Sequence, residues 1–446
     1  MTKARLDGLY IFLFGSVLFV LLGVGLEHAA PTSLTDFRGL YYPARCLVEH
    51  CDPYQDRDVL RIAQAQGGIP PSDGEQERQV VTQNVYLPTA FFFTVPFATL
   101  PWGPAHMLWM ALTAGSFIVA SFLMWDMGAN YAPILSGVLV GFLLANSEVL
   151  IITGNAAGIV ISFCAIAVWC FLRERFVLAG ILCLAAGLSL KPQDAGLVWL
   201  YFLLAGGIYR RRALQTLLAT VALGLPGVLW VSHVAPHWIQ ELHSNLQAYS
   251  IRGMNDPGRA IPSLVGAINL QTVFSAFWND PRIYNLVTYF VCGALLLAWI
   301  LVTLRSRSSQ ERTWLALASI AALSLLPVYH RQYDDKLLLL TIPACALLWT
   351  HRGIIARLAL LVTSAALVLT GDLPSMILLS LYHRQPLTAT GLSARPGTHA
   401  MVFRTPLVLL AVGIFYLWIY ASRRSAPPAS AESGSPAEVP SAPATP

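Results

Sequence analysis

The chain has 446 residues, 56% of them hydrophobic and 11% charged, with a mean hydropathy of +0.60, whereas soluble domains carry about a quarter charged residues. An ordinary water-soluble enzyme is thereby excluded. So is a nucleic-acid partner, because the formal charge of +5 is scattered between apolar segments and forms no basic surface.

Apolar runs of roughly 15–22 residues recur along the chain, the length that crosses a hydrocarbon core of about 30 Å. The first spans 9–26 and follows Lys3 and Arg5, with no small-residue cleavage pattern closing it. Four more follow near 86–101, 105–125, 132–152 and 156–172. Beyond them, Arg173 and Arg175, Arg210 to Arg212, Arg305, Arg307 and Arg312, Arg352 and Arg357, and Arg423 and Arg424 are each separated from the next group by two apolar segments. Basic residues favour the cytoplasmic side, so these groups and both termini are expected there. The segments 27–85, 233–283, 329–335 and 382–404 then lie outside. An even number of crossings must separate Lys3 from Arg173, yet five apolar segments are present. The segment 86–101, interrupted by Pro88, Pro96 and Pro101, is expected not to cross; a break at Gly154-Asn155 is the other solution. The expectation is an all-α polytopic membrane protein of about twelve spans plus one re-entrant or interfacial helix, in a single domain over 1–424. The tail 425–446, rich in Pro, Ala, Ser and Glu, is expected to be a disordered cytoplasmic extension.

Of seven cysteines, Cys164, Cys170, Cys183, Cys292 and Cys345 fall in apolar spans as small core residues. Cys46 and Cys51 share the first outer segment. Oxidation is possible there, but a spacing of five on a regular helix is poor disulfide geometry, so both states stay open.

Polar residues gathered on one membrane face are site candidates. Thr35-Asp36-Phe37-Arg38-Gly39-Leu40-Tyr41-Tyr42, followed by Asp52-Pro53-Tyr54, reads either as a capped interfacial helix with tyrosine anchors or as a general base, Asp36, beside Arg38, Tyr41, Tyr42 and Tyr54. Lys191-Pro192-Gln193-Asp194 offers a cation that either snorkels or binds an anionic headgroup. Tyr329 to Lys336 is the most unusual segment: His330 and Arg331 suit a phosphate, with Tyr333, Asp334 and Asp335 beside them. Adjacent carboxylates alone are a weak metal signal, so no metal or other cofactor is expected. Gly154-Asn155-Ala156-Ala157-Gly158 reads first as a close-packing stripe, with Asn155 as a site candidate. His233, His237 and His243 have no zinc spacing, and no P-loop, dinucleotide fingerprint or nucleophile elbow occurs in a credible context.

The order Asp36-Phe37-x-x-x-Tyr41-Tyr42, Asp52-Pro53-Tyr54, Tyr86-Leu87-Pro88-Thr89, Gly154-Asn155 and Lys191-Pro192 resembles glycosyltransferase family 87 over roughly residues 10–350. The resemblance implies a C-type glycosyltransferase fold and a polyprenyl-phosphate-sugar donor, mannose by family default. It also implies a lipid or glycan acceptor, a site on the periplasmic face of a bacterial inner membrane, and Asp36 as catalytic base. The chain departs from the family where Gly154-Asn155-Ala156-Ala157 replaces the common Gly-Gln-x-Asn, and around His330. In an inverting displacement Lys191, Arg331 and His330 would carry the donor phosphate. Competing readings are a secondary transporter of about twelve spans, disfavoured because no half-to-half repeat is visible, and a lipid-linked polysaccharide polymerase or ligase.

Overall fold

Proline decides where many of these helices start. Pro88, Pro133, Pro192 and Pro281 each stand in the first turn of a helix, where a missing N–H costs nothing and φ is already set. The computed structural model describes residues 2–29, 34–66, 81–82, 84–251, 267–278, 280–306, 309–373 and 396–423. Its helices are α1 (Lys3–Ala29), α2 (Thr35–Val48), α3 (Asp56–Ala65), α4 (Pro88–Ala98), α5 (Trp102–Gly128), α6 (Pro133–Leu144), α7 (Val149–Thr153), α8 (Ala157–Arg173) and α9 (Val177–Leu190). They continue as α10 (Pro192–Ala205), α11 (Gly207–Val234), α12 (Trp238–Ile251), α13 (Gln271–Phe274), α14 (Pro281–Arg305), α15 (Gln310–Leu323), a 3₁₀ turn (Asp334–Leu340), α16 (Thr341–Thr350), α17 (Ile354–Leu369) and α18 (Pro396–Ser422). Among the described residues the only β pairing is an isolated bridge between Ala267 and Arg331. The expected tail 425–446, most of 382–404, and residues 252–266 of the segment 233–283 lie outside the described residues.

Six helical stretches among the described residues are long and apolar enough to cross a membrane: Lys3–Ala29, Trp102–Gly128, Pro133–Thr153, Gly207–Val234, Pro281–Arg305 and Arg404–Ser422. Pro88–Ala98, Ala157–Arg173, Val177–Leu190 and Ile354–Leu369 are apolar but shorter. The chain is thus an all-α membrane protein. Helix α4 is about 16 Å long at 1.5 Å per residue, and both its ends are tied to segments near Asp36 and Lys191. Thr89 Oγ1 donates to Ser189 O at 2.5 Å at one end, and Arg45 donates to Ala98 O at 2.8 Å at the other.

Apolar attraction between helices is weak in lipid, so close backbone approach matters. Along α1 and α6 it is provided by Gly8, Gly15, Gly137 and Gly141: a Cβ on Gly15 would stand 2.5 Å from Gly141 Cα. α5 lies on α8, α8 on α9, and α15 on both α16 and α18. Every residue of α15 from Thr313 to Leu323 is buried.

Charge sorts to the two ends of α5. Near its C-terminus Asp126 binds Arg5 and, at 2.9 Å, Arg173, so the chain start and the end of α8 share one face. Arg212 joins them, donating to Phe171 O at 2.7 Å. Near the N-terminus of α5, Trp102 and Trp109 pack against Phe37, one residue from Asp36. About 36 Å of helix separates Trp102 from Asp126.

Candidate active site

Asp36 stands in the first turn of α2, after Leu34 in a left-handed conformation (φ 54°). Two bonds fix that turn. Leu34 N donates to Ile152 O at 2.7 Å, and Asn155 Nδ2 donates to Asp36 Oδ2 at 2.9 Å. Asn155 is itself held because its Oδ1 accepts from Ala157 N at 2.9 Å, opening α8. Gly154 before it has φ +62°, and a Cβ there would lie 2.2 Å from Leu34 Cδ2. The Gly-Asn pair thus permits the close approach read from the sequence, and the structure adds a bond from Asn155 to the Asp36 carboxylate. Burial pushes the Asp36 carboxyl above the ordinary carboxylate value, while the Asn155 bond and the charges of Arg331 and Lys191 pull it partly back.

Lys191 owes its position to Pro192. A residue before proline is driven out of the α region; Lys191 is extended (φ −150°), ends α9 and leaves its side chain at the break before α10. Its Nζ lies 3.0 Å from Asp194 Oδ2 and is bonded to Asp334 Oδ1, with the Tyr333 ring centroid at 5.0 Å. His330 completes a buried tetrad. Its Nε2 is 3.0 Å from Asp194 Oδ1 and its Nδ1 is 3.1 Å from Val328 O. Both ring nitrogens face acceptors, an arrangement satisfied when both carry hydrogen. Burial alone would lower the His330 pKa, but the Asp194 hydrogen bond and the charges of Asp334 and Asp194 outweigh it and raise it above 6.5. Lys191 and His330 thus balance Asp194 and Asp334. Asp194, His330 and Asp334 present ligand atoms within 4.8 Å of one another, a spacing that could suit a metal ion, but the Lys191 ammonium is bonded to both carboxylates and supplies the counter-charge.

The segment carrying His330 is held by residues 267–271. Ile268 N donates to His330 O at 3.1 Å, and Gln271 Nε2 donates to Pro327 O at 2.7 Å. Arg331 bonds the Tyr329 hydroxyl and lies over its ring. Among the described residues it has no carboxylate within ion-pair distance, although its charge reaches Asp36.

Asp36, Asn155, Lys191, His330, Arg331, Tyr333 and Asp334 are therefore brought to one end of the bundle. The remaining sequence candidates are placed elsewhere. Arg38 lies over Trp102 at 5.4 Å. Tyr41 donates to Leu100 O at 2.8 Å, and Tyr42 stacks on Trp102, so both belong to an aromatic core with Phe37 and Trp109. Tyr54 donates to Tyr86 O at 2.7 Å and packs on Trp238, clasping Asp52-Pro53-Tyr54 to Tyr86-Leu87-Pro88. Asp335 binds Lys336 at 3.2 Å and is separated in role from Asp334. Cys46 and Cys51, left open by the sequence, are paired, with Cα atoms 5.0 Å apart. Asp194 was legible as the i+3 partner of Lys191; Asp372, described below, had no sequence signal.

Residues 84–328 match the description "Glycosyltransferase family 87". Asn155, Lys191 and Asp194 fall inside that stretch, and Asp36 and the 330–336 segment fall outside it. No curated protein matches the chain. With more than half of its length matched, and with its apolar helices and clustered carboxylates and cations, this chain belongs to glycosyltransferase family 87 and is a membrane glycosyltransferase.

Proposed function

We propose that the protein transfers a sugar, mannose by family default, from a polyprenyl-phosphate donor to a lipid or glycan acceptor of the cell envelope. The reaction takes place at the periplasmic face of a bacterial inner membrane by a single inverting displacement. The observation that carries this reading is Asp36, bonded at 2.9 Å by Asn155 and within electrostatic reach of Arg331 and Lys191. A base and a set of cations thus share one end of the bundle. Asp36 takes the proton of the acceptor hydroxyl as its oxygen bonds to the anomeric carbon. The bond from that carbon to the phosphate oxygen breaks, and its electron pair leaves with the lipid phosphate. Arg331, unpaired with any carboxylate among the described residues, is the first cation for that charge; His330 and Lys191 follow.

The reading includes about twelve crossings in a C-type architecture, with the shorter apolar helices crossing under cover of their neighbours. The orientation is supported by Arg5, Arg173 and Arg212 gathering at the end opposite Asp36. It is also supported by the Cys46–Cys51 pair in the segment that carries Asp36, since disulfides persist in oxidising compartments.

Asp36→Asn keeps the shape and the Asn155 contact while removing the base. Transfer of radiolabelled mannose from polyprenyl phosphate should fall by about 10²- to 10⁴-fold in membranes with equal protein. Activity within a few fold of the parent would overturn the assignment.

A further inference from the structure

The bonds that fix Asp36 lead back to a residue distant in the sequence, Asp372. Helix α7 has only five residues, between a turn after Leu144 and the left-handed Gly154. So short a helix cannot hold itself, and its ends are fixed from outside. At its C-terminal end, Trp109 Nε1 donates to Gly154 O at 2.7 Å. At its N-terminal end, the backbone N–H of Val149 donates to Asp372 Oδ2 at 2.7 Å. That is a capping bond supplied by a residue 223 positions away.

Asp372 is buried and fixed in turn. Its Oδ1 accepts from Lys336 Nζ at 3.0 Å, and its own N–H donates to Asn146 O at 3.3 Å. Lys336 sits on the 3₁₀ turn whose first residue, Asp334, bonds Lys191. The turn therefore touches the cation tetrad through Asp334 and the base support through Lys336. Around Asp372 stand Lys336, Asp335 and Glu148; Glu148 is fully buried, and neither of its carboxylate oxygens has a hydrogen-bond partner among the described residues. Around Asp36 stand Asn155, Arg331, Lys191, Tyr329 and Tyr333.

We infer that Asp372 is a positioning residue for the transfer reaction. By capping α7 against Lys336, it holds Asn155 in bonding distance of Asp36 and so sets the geometry and basicity of that carboxylate. The inference rests on the reading of Asp36 as the base. Without Asp372, the Val149 N–H and the Lys336 ammonium lose their shared partner and α7 is freed at one end. The Asn155 bond, which favours the charged carboxylate, then lengthens. Arg331 and the tetrad are left in place, so turnover should fall while donor binding holds.

The test uses the full chain in lipid nanodiscs. Infrared difference spectroscopy against pH follows the Asp36 carboxyl band, identified by its absence from Asp36→Asn. Loss of one hydrogen bond to a charged group should raise the Asp36 midpoint by about one pH unit in both Asp372→Ala and Asn155→Ala. The double variant should rise no further, because the two act through one bond. In parallel, turnover of a short-chain polyprenyl phosphate mannose should lose about tenfold in kcat, with KM unchanged and the acid limb following the infrared midpoint. An unmoved midpoint in Asp372→Ala, or additive shifts in the double variant, would overturn the proposal; a purely structural role would lower the active fraction without moving either quantity. Where Asp372→Ala does not fold, Asp372→Asn replaces it. The amide oxygen can still cap Val149 but the charge opposite Lys336 is gone, so a smaller upward shift is expected and no shift refutes. Turnover retained by Asp36→Asn would remove the base reading, while the infrared titration would still decide whether Asp372 governs Asp36.

Discussion

Lys191→Met separates a structural ammonium from one reserved for substrate. The Lys191 side chain is only 9% exposed, and its Nζ lies 3.0 Å from Asp194 and is bonded to Asp334. Methionine is of similar length but carries no charge, so the variant leaves Asp194 and Asp334 facing each other with His330 as their one cation. Deleting one partner of a buried pair costs about 3–5 kcal/mol. Because His330 still balances one carboxylate, the lower end of that range is expected. Adding Asp334→Asn removes the surplus charge, and its amide oxygen can still accept the Arg331 N–H that Asp334 Oδ2 holds at 2.8 Å. The double variant should regain about half of the loss, a coupling that a double-mutant cycle measures directly. Equilibrium unfolding of the purified protein in mixed micelles is the assay. A Lys191→Met variant within 1 kcal/mol of the parent, no less stable than the double variant, would refute the tetrad as a stabilising unit. A lysine held free for phosphate would behave in that way, weakening donor binding alone.

Three further outcomes follow from the same geometry. Arg331→Gln removes the cation that lacks a carboxylate partner among the described residues, and kcat should fall about 10²- to 10³-fold with stability little changed; a rate within threefold of the parent would remove Arg331 from the phosphate site. Gly154→Ala puts a Cβ at φ +62° within 2.2 Å of Leu34 Cδ2 and 3.0 Å of Phe37 Cβ, so the buried Leu34 side chain beside Asp36 must move and the backbone is strained, and a loss of more than about 1 kcal/mol together with reduced kcat is expected. Cys46 and Cys51 are buried, so in protein unfolded under thiol-blocking conditions they should resist maleimide until reduced and then react; free thiols at both positions would remove the oxidising-compartment support for the proposed orientation.

Much of the bundle could be read from the sequence because its signals are local. Proline starts, apolar length and arginine placement depend on a few neighbouring residues, and the spans expected at 9–26, 105–125 and 132–152 lie within Lys3–Ala29, Trp102–Gly128 and Pro133–Thr153. Asp36, Asn155, Lys191 and His330 were singled out for a similar reason: each is a polar residue where an apolar segment ends. The tyrosines of α2 show the limit. Phe37, Leu40, Tyr41, Ala44 and Leu47 repeat at helical spacing and are all buried, so the pattern marked a packed face; with α4 and α5 not yet placed over it, the tyrosines read first as interfacial anchors and second as part of a site. Asp335 was grouped with Asp334 by adjacency, yet on a tight turn the two side chains diverge to Lys336 and Lys191. Asp372 was invisible because its partner lies 223 residues away, and no local pattern encodes such a bond.

Charge balance links the two halves of the proposed reaction. In the resting site Lys191 and His330 offset Asp194 and Asp334, and Asp36 is a carboxylate whose charge reaches Arg331, which has no carboxylate ion pair among the described residues. A phosphodiester donor brings one negative charge into this nearly neutral setting. When Asp36 takes the acceptor proton it becomes neutral, and the Arg331 charge is released from its influence at the moment the leaving phosphate gains a second negative charge. Proton transfer and leaving-group departure therefore favour each other electrostatically, without a second carboxylic acid to protonate the leaving oxygen. This coupling also accounts for keeping Asp36 half-buried: in fuller contact with water its charge would be screened, and its neutralisation would change little at Arg331.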